Sequence, residues 1–384
     1  MKFIKGCVYV AMVAVVLLLI LFGVRTNRSY REVHYFLTNR IEGLFEDTPV
    51  SPFLRNAHFG YLRLTNRHHF NEITILTDGR MMLHNLDPNF FLYERADNII
   101  ALGDYLAGRD IPFLYVRLPS KIEDNSVLPF AFSDNQSIEY GDRLTNLISE
   151  GGVDTLDLRE IMMQENMDFT TAFFRMDHHL TAETALWATS VINEYINRQH
   201  NLGIDVSVWD RNNFGSITYE QAFQGHEATY MHAYHLFEDI TVLFPEFQTE
   251  LIMKIGYAVA YGEFVDVFMP KVRNEHNERF NYDDMILPLV PFVSVTNQLA
   301  SNDMRVLFIA ESNGMLKGTF LSLGYESLHV VYIINSVTPG VLWDLLGRYD
   351  YDLVIMAVSD VVVAQESRER FHDDRLFLGY PPID

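Results

Sequence analysis

Met304-Arg305-Val306-Leu307-Phe308-Ile309-Ala310-Glu311-Ser312-Asn313-Gly314 is the stretch on which the fold turns. An apolar run reaches Ala310 and stops abruptly at a serine, and Asn313 with Gly314 lets the chain turn sharply into a helix. Two further continuous apolar runs follow, Leu328–Ile333 and Leu353–Val358, with helical stretches between them. Strands buried on both faces read as unbroken apolar runs, so the C-terminal third predicts β-α-β units around a parallel sheet covered by helices. A serine at the carboxyl end of such a strand sits where open α/β sheets place their ligands. Serines also cap helices, so Ser312 by itself decides nothing.

The same rhythm occurs upstream. Pro112-Phe113-Leu114-Tyr115-Val116 reads as a buried strand ending at Leu118-Pro119-Ser120-Lys121, and Val153 to Leu158 reads as another. Helical spacing runs from about Asn89 to Leu106 and from about Ala182 to Asn197. Ile73-Thr74-Ile75-Leu76 and Met81-Met82-Leu83 flank Asp78-Gly79, the pattern of a β-hairpin. Residues 200–300 are aromatic and irregular, and are expected as an insertion within one domain spanning 61–384.

Composition narrows the class. With 384 residues, 48% of them hydrophobic, the chain can bury a large core. Its net charge of −22 argues against nucleic acid or a polyanionic surface as partner. Cys7 is the sole cysteine, which rules out an intrachain disulfide and a thiol nucleophile in the folded part. Gly6 to Val24 carries no charge, follows Lys2 and Lys5, and is long enough for one bilayer crossing. No small-residue cleavage site precedes Arg25-Thr26-Asn27-Arg28, so residues 1–27 are expected as an uncleaved signal anchor. Residues 28–60 are expected as a stalk, ended by Asp47-Thr48-Pro49 and Ser51-Pro52. Basic residues on both flanks leave the orientation open by charge alone.

Arg175-Met176-Asp177-His178-His179-Leu180-Thr181 supplies the chemistry. An aspartate stands two residues before a histidine, just ahead of a helix. With Ser312 these are the parts of a Ser/His/Asp centre: an alcohol, a base to deprotonate it and a carboxylate to orient the base. Adjacent histidines beside an aspartate also suit a metal, but no further cluster of convincing spacing accompanies them, so none is expected. His226, His232 and His235 form a second patch without the i, i+4 spacing of a helical zinc site, and surface or structural roles are expected for them. His68 and His69 are read as surface residues. Lys121 and Arg175 are candidates for substrate binding or for orienting the site, with buried structural ion pairs as the alternative.

In this order the motifs resemble the DHHW family, relatives of the SGNH-hydrolase-like proteins that O-acetylate alginate and other exopolysaccharides. The matching features are the membrane anchor, the Asp78-Gly79 hairpin, Pro119-Ser120-Lys121, the Arg175-x-Asp177-His178-His179 motif and Glu311-Ser312, over roughly residues 60–365. The resemblance implies an SGNH-hydrolase-like fold and a triad of Asp177, His179 and Ser312, with His179 rather than His178 as base. It further implies an extracytoplasmic, membrane-anchored O-acyltransferase or acylesterase working on polysaccharide without a cofactor. Its acetyl group would come through a multi-spanning membrane O-acyltransferase partner. Two positions depart from the family pattern: Leu180 replaces its tryptophan and Glu311 its aspartate. These departures leave open a catalytically inactive protein of the same fold, binding or assembling polysaccharide.

Overall fold

A computed structural model of the chain describes residues 69–70, 73–83, 92–129, 136–231, 233, 236–272, 279–333 and 339–363. The expected membrane segment and stalk, with His68, His232 and His235, lie outside these. Among the described residues no helix is long and apolar enough to cross a membrane.

In chain order the strands are β1 (His69–Phe70), β2 (Ile73–Ile75), β3 (Met81–Leu83), β4 (Phe113–Leu118), β5 (Asp154–Asp157), β6 (Phe214–Phe223), β7 (Glu238–Pro245), β8 (Leu251–Ile255), β9 (Ala258–Gly262), β10 (Phe292–Asn297), β11 (Arg305–Ala310), β12 (Ser327–Tyr332) and β13 (Leu353–Ser359). The helices are α1 (Leu92–Ala107), α2 (Ser137–Glu150), α3 (Leu158–Gln164), α4 (Phe169–Ala172), α5 (Ala182–His200), α6 (His226–Tyr230), α7 (Phe264–Phe268), α8 (Ser312–Leu321), α9 (Pro339–Arg348) and α10 (Asp360–Val363). The expected hairpin forms as β2 and β3, with Gly79 at φ +83°, the left-handed backbone that glycine adopts without strain.

The main sheet has eight strands in the order β5-β4-β13-β11-β12-β10-β8-β9. From β5 to β12 every pairing is parallel, as the continuous apolar runs imply. Beyond β12 the sheet continues antiparallel through β10, β8 and β9. The stretch 200–300 thus supplies three strands of the main sheet as well as the β6–β7 ribbon, where the sequence suggested an irregular insertion. These strands escape pattern reading because they are not buried on both faces. β10 alternates between buried and half-buried positions, and most of β9 is exposed.

β11 lies at the centre, and its side chains divide between two apolar layers. Val306, Phe308 and Ala310 pack with residues of α5 and α8, while Leu307 and Ile309 pack with residues of α1, α2 and α9. Val306, Leu307, Phe308 and Ile309 each contribute roughly 1.5–3 kcal/mol relative to exposure. After β11 the chain passes through α8 to β12 on one side, then through α9 to β13 on the other. The strand order therefore reverses at β11, and the region beyond its carboxyl end is where open α/β sheets place their ligands. Ser312 stands there.

Gly314 lets α8 lie close on the sheet, since a Cβ at this position would meet the Ala310 Cβ at 2.4 Å. At the same end of the sheet Arg117, buried on β4, binds Asp157 and Asp360, each at 2.7 Å, together with Asp142. This charge cluster joins β4 to α2, to α10 and to the end of β5 where Asp157 caps α3, and it accounts for one of the largest buried side chains.

Candidate active site

The Asp-His-His motif lies in a loop between α4 and α5. Phe174 N–H bonds the His179 carbonyl at 3.2 Å and Thr181 N–H bonds the Ala172 carbonyl at 3.0 Å, closing the base of the loop. Leu180, which stands where the family resemblance places tryptophan, is buried in a small cluster with Met162, Phe169, Ala172 and Phe173. That position packs the base of the loop.

Within the loop, charged side chains satisfy the backbone. Glu238 on β7 accepts from the N–H groups of Arg175 at 2.7 Å and Met176 at 2.8 Å. Lys121, buried just past β4, donates from Nζ to the carbonyls of Met81 at 2.5 Å, Arg175 at 2.9 Å and Asp177 at 2.8 Å. An ammonium has three protons, so these bonds use all of them. Burial pushes the Lys121 pKa down to about 8, against the pull of Glu227, Asp177 and Glu238. Lys121 therefore positions the loop in this structure. Arg175 is exposed and reaches over the hairpin turn, its Nε 3.4 Å from the Gly79 carbonyl. Replacing Lys121 with Met would leave its carbonyl partners unanswered, and is expected to cost about 3–5 kcal/mol. Urea unfolding measures this, and an unchanged midpoint would refute the anchoring role.

Asp177 uses both oxygens. Oδ1 accepts from the His179 backbone N–H at 3.0 Å and lies 2.5 Å from His179 Nδ1, and Oδ2 accepts from the His226 backbone N–H at 2.7 Å. Burial opposes ionisation of Asp177, but the His179 ring, which is cationic at the low pH where Asp177 would protonate, with the charge of His178 and these bonds, holds its pKa well below the usual range. The contact assigns the proton to His179 Nδ1 and leaves the lone pair on Nε2. Nε2 is buried and has no hydrogen-bond partner among the described residues. The ring is held between Tyr282, stacked at 3.9 Å and 15°, and His178, at 4.0 Å and 34°. Burial, then the charge of His178, lower the His179 pKa, while Asp177 and Glu311 oppose them. A neutral imidazole with an open Nε2 is what a general base requires.

The Asp177 clamp depends on how closely α6 starts against the loop. A Cβ on Gly225 would fall 1.9 Å from the Met176 carbonyl oxygen, so the approach needs glycine. Gly225→Ala is expected to displace the His226 N–H from Asp177, destabilise the fold by about 1–3 kcal/mol and impair the site. Calorimetry together with an ester-cleavage assay checks both effects. His226, read from sequence as surface or structural, has an exposed ring while its backbone holds Asp177.

Ser312 opens α8 directly beyond β11 and is half-buried. Glu311 caps the helix, its Oε2 accepting from Asn313 N–H at 2.9 Å and from Ser312 Oγ at 3.2 Å. The longer carboxylate thus still reaches a backbone donor of the helix start. Lys317, wholly buried one turn on, donates to the Asn313 carbonyl at 2.5 Å; burial lowers its pKa to about 7 against the charge of Glu311. The Glu311 charge adds to the raised pKa of His178 and Tyr282 and opposes the lowering at His179, so the helix start and the histidine loop share one electrostatic environment. Of the three residues assigned to the triad, Asp177 and His179 are joined directly, and Ser312 Oγ is bonded to Glu311. Tyr282, Glu227, Glu238 and Gly225 carried no signal in the sequence, because each is isolated within the stretch that lacked a clear period.

No protein-family model matches the sequence, and no curated protein matches it. Solved structures do. PatB1 from Bacillus cereus with a sulfonyl adduct aligns at a TM-score of 0.62 and 14% identity, over 78% of this chain and 97% of its own. A second PatB1 structure gives a TM-score of 0.59 at 15% identity, over 76% of this chain and 98% of its own. A DHHW family protein from Eubacterium siraeum gives a TM-score of 0.55 at 13% identity, over 78% of this chain and 94% of its own. The fold is the one shared by PatB1 and the DHHW family protein, as the sequence resemblance implied.

Proposed function

We propose that this chain is an O-acyltransferase or acylesterase acting on a cell-envelope or secreted polysaccharide, with Ser312 as nucleophile, His179 as base and Asp177 as its orienting acid. His179 carries the assignment: a buried imidazole, fixed through Nδ1, whose Nε2 is open. Ser312 Oγ turns from Glu311 toward His179 and attacks the acyl carbonyl as its proton passes to Nε2. The bond to the leaving group breaks, the leaving group takes that proton, and acyl-Ser312 remains. A sugar hydroxyl, or water, then gives its proton to His179 and attacks the ester, and Ser312 recovers a proton as it leaves. The Asn313 and Gly314 N–H groups are engaged by Glu311, so the Ser312 N–H is assigned to the oxyanion, helped by the α8 dipole. A sulfonyl adduct, such as PatB1 carries, is the product expected when a nucleophile meets an electrophilic sulfonyl group.

By family resemblance the acetyl donor is supplied through a multi-spanning membrane O-acyltransferase, with residues 6–24 anchoring the chain and the body outside. The test of the chemistry is the part from about residue 28, given an activated acetyl ester with and without a glycan acceptor. Acetyl release that the acceptor accelerates, with acetate appearing on sugar, is transfer; release indifferent to the acceptor is hydrolysis. No release, and no acyl adduct on Ser312, overturns both. The anchor is tested by retention in membranes after high-salt and alkaline washes, and release by either wash refutes it.

A further inference from the structure

His178 and Glu227 face each other beside the base. His178 Nδ1 lies 3.3 Å from Glu227 Oε1, within ion-pair distance but too oblique for a hydrogen bond. Glu227 is fully buried on α6, and neither of its oxygens meets a hydrogen-bond donor among the described residues. A carboxylate removed from water without donors needs a compensating charge. Buried Lys121 also feels Glu227, but its three protons go to the carbonyls of Met81, Arg175 and Asp177, so His178 is the cation at contact distance. The His178 ring, in turn, sits 4.0 Å from that of His179. We propose that Glu227 is a positioning residue: it keeps His178 as an imidazolium, and this fixed cation keeps the neighbouring His179 a free base. The proposal rests on the reading of His179 as general base.

The surrounding groups favour the cation. His178 is faced by Glu227 and by the His226 ring of α6, by Asp177 at 3.9 Å within its own loop, by Glu311 from the start of α8, and by His179. Burial alone would discharge His178, but Glu227 first, then Asp177 and Glu311, carry its pKa up to about 9. His179 is faced by Asp177, Glu311, His178 and the Tyr282 ring. Both carboxylates there favour an imidazolium, which cannot accept a proton from serine. Burial and the His178 charge act the other way, and in a buried site charge repulsion at this range is weakly screened. Two adjacent histidines are thereby driven apart in proton affinity, one holding its proton and one free of it.

The test is a titration of the full-length chain in detergent micelles with nitrogen-15-labelled histidine, the signals assigned with His178→Gln and His179→Gln. His178 is expected to stay doubly protonated from about pH 6 to about pH 8, while His179 shows a protonated Nδ1 and a bare Nε2. Glu227→Gln keeps the shape and removes the charge. It is expected to lower the His178 pKa by roughly 1–3 units and to raise that of His179, moving the acid limb of kcat/KM upward. A neutral His178 at pH 7 in the unaltered protein overturns the proposal even if Glu227→Gln fails to fold. So does a His179 titration unmoved in that variant. Stoichiometric zinc held by His178, His226 and Glu227, removable by a chelator, would also overturn it, since a metal would then be the charge that Glu227 meets. The titration needs no turnover, so an inert Ser312 would sink the acyl-transfer reading without touching this result.

Discussion

Ser312→Ala is expected to abolish turnover of an activated acetyl ester, lowering kcat/KM by roughly a thousandfold to a millionfold, while the protein stays folded. The separation of the two effects follows from the local structure. The hydroxyl makes one hydrogen bond, to Glu311, and Ser312 is half-buried. The helix start is capped by Glu311 through Asn313, and that bond survives the substitution. Losing the hydroxyl therefore costs the fold about 1 kcal/mol or less, whereas the nucleophile has no substitute. A sulfonyl fluoride provides a second readout, because it should modify the unaltered protein at Ser312 and leave the variant unmodified. Retention of more than about a tenth of the activity by Ser312→Ala would end the assignment of Ser312 as nucleophile.

What could be read in the sequence followed burial symmetry. β4, β11, β12 and β13 lie buried on both faces, so each left a largely apolar run, and the parallel core with Ser312 at its carboxyl end was legible from those runs. β8, β9 and β10 have one face against the core and the other half-exposed or exposed. Their residues blur into the aromatic background of 200–300. The site divides in the same way. Asp177 and His179 bond to each other across two residues, so short-range spacing pointed to both. What fixes them comes from afar: Lys121 from 56 residues before Asp177, His226 from 49 residues after it, and Glu238 from 63 residues past Arg175. Only the closed fold brings such partners together. Lys121 marks the limit of residue type as a guide: by sequence it could bind substrate, orient the site or form a buried ion pair, and only the fold shows three carbonyls claiming its protons.

Asp177→Asn is expected to be nearly as damaging to activity as loss of the serine, on the order of 10,000-fold in kcat/KM, and unlike that change it should also lower stability. Each Asp177 oxygen is an acceptor facing an N–H: Oδ1 meets the His179 backbone and Nδ1, and Oδ2 meets the His226 backbone. An asparagine offers one oxygen and one NH2. If the oxygen stays toward His179, the NH2 confronts the His226 N–H, donor against donor, in a buried site, and α6 is pushed away. If the amide flips, the NH2 confronts His179, the ring must take the proton on Nε2, and the lone pair needed for Ser312 is lost. Either arrangement sets the NH2 against a buried backbone N–H, that of His226 or that of His179, and so costs stability, about 1–3 kcal/mol. The flip, which keeps the bond to α6, also costs catalysis and is the one expected. Thermal unfolding read beside the ester-cleavage rate shows which is taken. A variant with unaltered stability and activity above about a hundredth of the original would mean that Asp177 neither orients the base nor anchors α6.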